Sequence, residues 1–131
     1  MAARVVSLGR QRVAPAVSRR LERVPVRWHV WQGASGRDYA HRVYSLIECP
    51  PLCKAAYVLV RRDAQGRCRV LRIGLGQSDA PTLNLAAVRQ KGAQAGANEV
   101  HVYPAAPEAE LRLVACDLRA RLFGSLASAA D

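Results

Sequence analysis

Apolar and polar residues alternate with a period of two along much of the chain, the signature of strands that bury one face and expose the other. Val26, Trp28 and Val30 alternate with Arg27, His29 and Trp31. After the turn-forming Gly33-Ala34-Ser35-Gly36, a second run sets Tyr39, His41, Val43, Ser45 and Ile47 against Ala40, Arg42, Tyr44 and Leu46. Together they predict a β-hairpin over residues 26–48, ended by Pro50 and Pro51, which have no N–H to give to a ladder. A third strand is expected over Ala55 to Arg62, where Tyr57, Val58 and Val60 supply aromatic and β-branched residues. Asp63-Ala64-Gln65-Gly66 reads as a turn, and Arg67 to Gly74 returns as a fourth strand with Arg69 outward and Cys68 and Val70 alternating with it.

The period then changes from two to 3.6. Leu85, Val88 and the pair Ala86 and Ala87 fall at helical spacing between Leu83 and Gln94, with Gly92 weakening the helix and Gly96 ending it. Glu99 to Tyr103 alternates again as a short fifth strand, closed by Pro104. Pro107 opens the last helix, Glu108 and Glu110 suit the positive end of its dipole, and Leu111, Val114, Leu118 and Leu122 form one apolar stripe. The fold class expected is α+β: a small mixed sheet flanked by helices, within a single domain over 26–125.

Charge adds a feature that the pattern does not carry. The 131 residues hold 20 basic against 10 acidic side chains, a formal net charge of +10. Seven of the arginines, among them Arg19, Arg20 and Arg23, lie before Trp28 with Glu22 as the sole acid there. Residues 1–25 therefore read as a basic, flexible arm that meets phosphates without sequence preference. An organellar targeting segment is the competing reading, although Pro15 and Pro25 interrupt any long amphipathic helix. Residues 126–131 are read as a tail.

Arginine outnumbers lysine 18 to 2, a bias that suits bidentate phosphate contacts and equally fits a GC-rich genome that also yields 23 alanines. Arginines interrupt every apolar run, so no membrane span is expected. Cys49, Cys53, Cys68 and Cys116, with no secretory segment, point to free thiols in the cytoplasm. Cys49 and Cys53 lack a second closely spaced pair that would complete a metal site, and His29, His41 and His101 are scattered, as ordinary packed or surface histidines are.

From residue 55 the order is strand, strand, helix, strand, helix. Ala55-Ala56-Tyr57 stands on the first strand of the hairpin and Arg72-Ile73-Gly74 on the second, and Gly96-Ala97-Asn98-Glu99-Val100 leads into the last strand. Over residues 55–123 this resembles the GIY-YIG nuclease superfamily, preceded here by the extra hairpin of residues 26–48. In that family two tyrosines, an arginine on the first helix and a metal-binding glutamate on the later helix converge on the scissile phosphate. Carried over residue by residue, Tyr57 keeps the first tyrosine and Arg72 replaces the second. Arg89 or, in another register, Asn84 takes the arginine position, and Ala115 takes the glutamate position; Glu108, two turns earlier on roughly that face, and Glu110 are the alternative carboxylates, since Asp117, two residues on, points away from Ala115.

The resemblance therefore implies a degenerate member that binds nucleic acid and has lost cleavage. Tyr57, Arg72 and Arg89 are its vestigial catalytic candidates, and Arg19, Arg20, Arg23, Arg72, Arg89 and Lys91 its phosphate-contact candidates. DNA or RNA is the expected partner and no cofactor is expected. Two alternatives stand beside it: an active endonuclease, which would need magnesium or manganese, and a protein-interaction module that uses the hairpin of residues 26–48. Trp28 and Trp31, of opposite strand parity, point to opposite faces of that hairpin.

Overall fold

The computed structural model describes residues 26–124; the arm over residues 1–25 and the tail over 126–131 lie outside the described residues. The described elements are β1 (Arg27–Gln32), β2 (Asp38–Ser45), β3 (Ala55–Arg62), β4 (Cys68–Gly76), α1 (Pro81–Ala95), β5 (Glu99–Val102) and α2 (Glu108–Leu122). The strands form one sheet in the order β1-β2-β5-β3-β4, every pairing antiparallel. The α+β architecture read from the pattern is present, with α1 packed on one face of the sheet and α2 on the other.

Each position in this sheet has a reason in the sequence. β3 is apolar without alternation from Ala55 to Val60, and all six residues are buried. A strand of that kind belongs inside a sheet covered on both faces. Its odd positions, Ala55, Tyr57 and Leu59, pack with Val88 of α1, while Val58 and Val60 pack with Val114, Ala115 and Leu118 of α2. The stripe of α2 behaves as its spacing predicts: Leu111, Val114 and Leu118 are buried and Leu122 is half-buried.

Three local expectations are corrected. Ile47, read as continuing the strand series of Tyr39, His41 and Val43, which are buried, is itself 84% exposed. The strand stops at Ser45, where the Ser45 hydroxyl accepts from the Glu48 N–H and donates to the Glu48 carboxylate, turning the chain before Ile47 is reached. In α1, Ala86 and Ala87 are exposed, and the buried stripe is Asn84, Val88 and Gly92. Asn84 tolerates burial because its amide bonds the Leu52 and Ser78 carbonyls and the Ser78 N–H. Gly92 is buried because Leu46 occupies the place of its missing side chain, 2.7 Å from where a Cβ would stand. Finally, β4 carries a bulge: Leu59 pairs with Arg72 and Val60 with Val70, which leaves Leu71 as an extra residue packed on the α1 side.

The hairpin of β1 and β2 is tied to the rest of the molecule at its tip. Asp117, on the side of α2 turned towards this tip, accepts from the Ser35 N–H at 2.9 Å, the Ser35 hydroxyl at 2.5 Å and the Tyr39 hydroxyl at 2.7 Å. Its own carbonyl accepts from the Ala34 N–H. Gly33 lies so close that an added Cβ would collide with the Asp117 carboxylate. We expect Gly33→Ala to lower the free energy of unfolding by about 1–3 kcal/mol. In an Asp117→Ala background the same change should cost much less, and urea denaturation of the two single variants and the double variant measures that coupling.

Candidate nucleic-acid interface

The register of the sheet sorts the candidate residues into two faces. On the α1 side one cross-strand row crosses all five strands: Trp28, Arg42, Val102, Tyr57, Gly74. A second runs through Tyr44, Val100, Leu59 and Arg72. Tyr57 and Arg72 therefore share a face. Tyr57 is 1% exposed, and its ring lies over Gly74, 2.6 Å from where a Cβ would be. The glycine of Arg72-Ile73-Gly74 is thus required by the tyrosine of Ala55-Ala56-Tyr57. Burial raises the Tyr57 pKa above that of a free phenol, and the positive charges of Arg72 and Arg119 work against that rise.

Arg72 does not stand alone. Arg61 and Arg69 are directly opposite each other on β3 and β4, and their parity places both on the α1 side. All three are exposed, and among the described residues none is paired with a carboxylate. Like charges directly opposite on neighbouring strands destabilise a sheet, so such a pair suits contact with an external anion. Sequence reasoning passed over Arg61 and Arg69: their pairing follows from the Asp63 N–H donating to the Arg67 carbonyl, which brings residue 61 opposite residue 69.

The other candidates divide. Arg89 reaches from α1 to donate to the carbonyls of Ile47, at 2.8 Å, and Cys49, at 3.3 Å, so it fastens the segment between β2 and β3 and is not directed at Tyr57. Lys91 is exposed on α1. Ala115 is buried against Val58, Val60 and Ile73 on the α2 side, across the sheet from Tyr57. Glu108 is bonded to Arg112, and Glu110 accepts from the Tyr103 hydroxyl. Among the described residues no three His, Cys, Asp or Glu side chains cluster as a metal site would require, and the four cysteines are free. Arg19, Arg20 and Arg23 lie outside the described residues.

The α2 side holds a feature that no local motif announced. His29 and His41 are cross-strand partners, and the ring of His101 on β5 lies 5.2 Å from that of His29. Trp31 Nε1 donates to His101 Nδ1 at 2.9 Å. An indole N–H is only a donor, so His101 Nδ1 is unprotonated and its Nε2 carries the hydrogen donated to Glu99, at 2.9 Å. Burial opposes the Glu99 charge, but bonds from Arg62 and His101 outweigh it and hold the carboxyl below its usual pKa. Burial lowers the pKa of His29, His41 and His101 alike. Burial pushes the His41 ring down to about 4, against the opposing effect of the bond its Nδ1 donates to the Tyr39 carbonyl, and its buried Nε2 has no partner.

These depressed values fix a direction of pH dependence. An unfolded histidine binds a proton near pH 6.5 while folded His41 resists until about 4, so between these values the unfolded state holds more protons and stability falls as pH falls. We expect His41 alone to remove on the order of 3 kcal/mol by pH 4, relative to pH 7.5. Urea midpoints measured across this range should drop, and His41→Leu should flatten the profile.

No protein-family model, curated protein or solved structure matches this chain, so its function is argued from the two faces of the sheet.

Proposed function

We propose that the protein binds DNA or RNA through the phosphate backbone, without sequence preference and without cleaving it. The observation that carries this reading is the group of Arg61, Arg69 and Arg72, three exposed guanidinium groups on one face with no carboxylate beside them among the described residues. Arg72 stands opposite Leu59, two residues from Arg61 along β3, or about 7 Å, so the group forms a short cationic track rather than a point. Guanidinium forks pair bidentately with phosphate, and a chain of net charge +10 is drawn to a polyanion over a distance. Arg19, Arg20 and Arg23, outside the described residues, add to the net charge, and Lys91 is exposed on α1. We place the protein in the cytoplasm, a reading supported by its free thiols.

Likeness to a degenerate GIY-YIG protein is supported by the pairing of Tyr57 with Gly74, which joins the two tripeptides across β3 and β4. Retained cleavage is not supported. An active endonuclease needs a carboxylate to hold its metal beside the scissile phosphate, and the position that would supply it is a buried alanine on the opposite face.

Fluorescence anisotropy with a labelled duplex tests the binding. The logarithm of affinity should fall linearly with the logarithm of salt concentration, and replacing Arg61, Arg69 and Arg72 together by alanine should weaken binding and reduce the slope by about 1 per lost phosphate contact. Removing residues 1–24 should flatten it further. No binding at low salt would overturn the proposal. A second expected outcome concerns catalysis: incubation with magnesium or manganese should leave single-stranded, duplex and branched substrates intact on a denaturing gel, whereas nicking abolished by Tyr57→Phe would restore the active reading.

A further inference from the structure

The α1 side of the sheet is only partly covered. α1 packs over β3, β4 and the end of β2, and leaves the outer half of the sheet bare, where Trp28 and Val30 of edge strand β1 are each 54% exposed. Trp28 differs in this from Trp31, whose indole is bonded to His101 on the other face. Arg42, the cross-strand partner of Trp28, holds its guanidinium 5.6 Å from the centre of the Tyr44 ring. An aromatic ring, a cation and a second aromatic ring therefore follow one another on the same face. They open onto a cleft of about 240 Å³, floored by Val102 and closed on one side by the segment Pro50 to Ala55.

We propose that this surface binds single-stranded nucleic acid, with unpaired bases stacked on Trp28 and in the cleft beside Tyr44, and Arg42 gripping the phosphate between them. This rests on the phosphate-contact reading above and adds which form of nucleic acid the protein selects. Charge and shape argue for that occupant. The charged residues lining the cleft are Arg42 and Lys54, the latter shared with Asp79, and no carboxylate lines it. The cleft is smaller than the roughly 300–1,000 Å³ that a drug-sized ligand or cofactor occupies, and suits a single flat base. Stacking on aromatic side chains needs a base whose face is free, which a duplex does not offer. Trp28 also lies in the same cross-strand row as Tyr57, three strand spacings or about 14 Å away, with Arg72 one row further on. Tyr57 itself is buried, so the cleft and the arginine track are separate contacts on the same side of the sheet.

The test compares labelled oligo(dT) and oligo(rU) of about 12 nucleotides, a length within the usual site size, with a duplex of equal length. Both single strands should bind more tightly than the duplex and quench tryptophan fluorescence. Trp28→Ala should weaken single-strand binding about ten-fold, remove the quench and leave the salt slope and the duplex affinity unchanged. Trp28→Phe should keep most of the affinity, which separates lost stacking from lost folding. Single-strand affinity unaltered by Trp28→Ala, or an equal loss for duplex and single strands, would overturn the proposal while leaving the arginine track in place. Absence of binding by either form would remove the phosphate-contact reading and this proposal together. Self-association in sedimentation that disappears in Trp28→Ala, with single-strand binding unchanged, would assign the face to a second copy of the chain instead.

Discussion

The structure depends on a four-residue strand. β5 lies between β2 and β3, and it alone joins the hairpin of β1 and β2 to the hairpin of β3 and β4 in a single sheet. All four of its residues are buried, although Glu99 and His101 are polar. Burying them without partners would cost more than the strand's backbone bonds return, since an uncompensated buried charge alone costs about 3–5 kcal/mol. Partners come from both sides: Arg62 of β3 bonds Glu99 at 2.7 Å, Trp31 of β1 bonds His101, and the two polar residues of β5 bond each other. The network thus links three strands that are far apart in the chain, and it exists only when both hairpins are in place.

That network also divides the molecule by chemistry. On the α2 side His101, Glu99, Arg62 and Trp31 satisfy one another, and α2 covers the apolar remainder through Val114, Ala115 and Leu118. Acidic residues of the described chain are mostly engaged in such internal contacts, Asp117 with the β1–β2 turn and Glu110 with Tyr103 among them. The consequence is an asymmetry in what reaches solvent. Arg42, Arg61, Arg69 and Arg72 lie on the α1 side, and none of them is paired with a carboxylate among the described residues.

The same division accounts for Tyr57 and Ala115 by packing. The Tyr57 ring fills the space that Gly74 vacates, on the side of α1. Ala115 is a small residue that lets α2 approach β3 on the far side. Each position is held by packing demands, and neither needs a catalytic role to be explained. Arg89 is similar, since its guanidinium supplies donors to two carbonyls that would otherwise rely on water.

The sequence by itself determined the elements, because hydrophobic periodicity, proline, and the turn residues at 33–36 and 63–66 act within a few residues of one another. It also determined which strands return on one another as hairpins, while the pairing of Tyr57 with Gly74 depended on the bulge at Leu71. Where the local rules missed, a longer-range contact had overridden them. Gly92 reads as weakening its helix until Leu46 is seen against it, and the burial of Asn84 is explained only by its carbonyl partners from Leu52 and Ser78. Only the tertiary structure decided the order of the strands, and through it the meeting of His29, His41 and His101, the separation of Tyr57 from Ala115, and the exposure of Trp28 rather than Trp31. The parity of a strand says that two residues lie on opposite faces, but which face is covered depends on where the helices dock, and that is set by packing between segments about thirty to eighty residues apart in the chain.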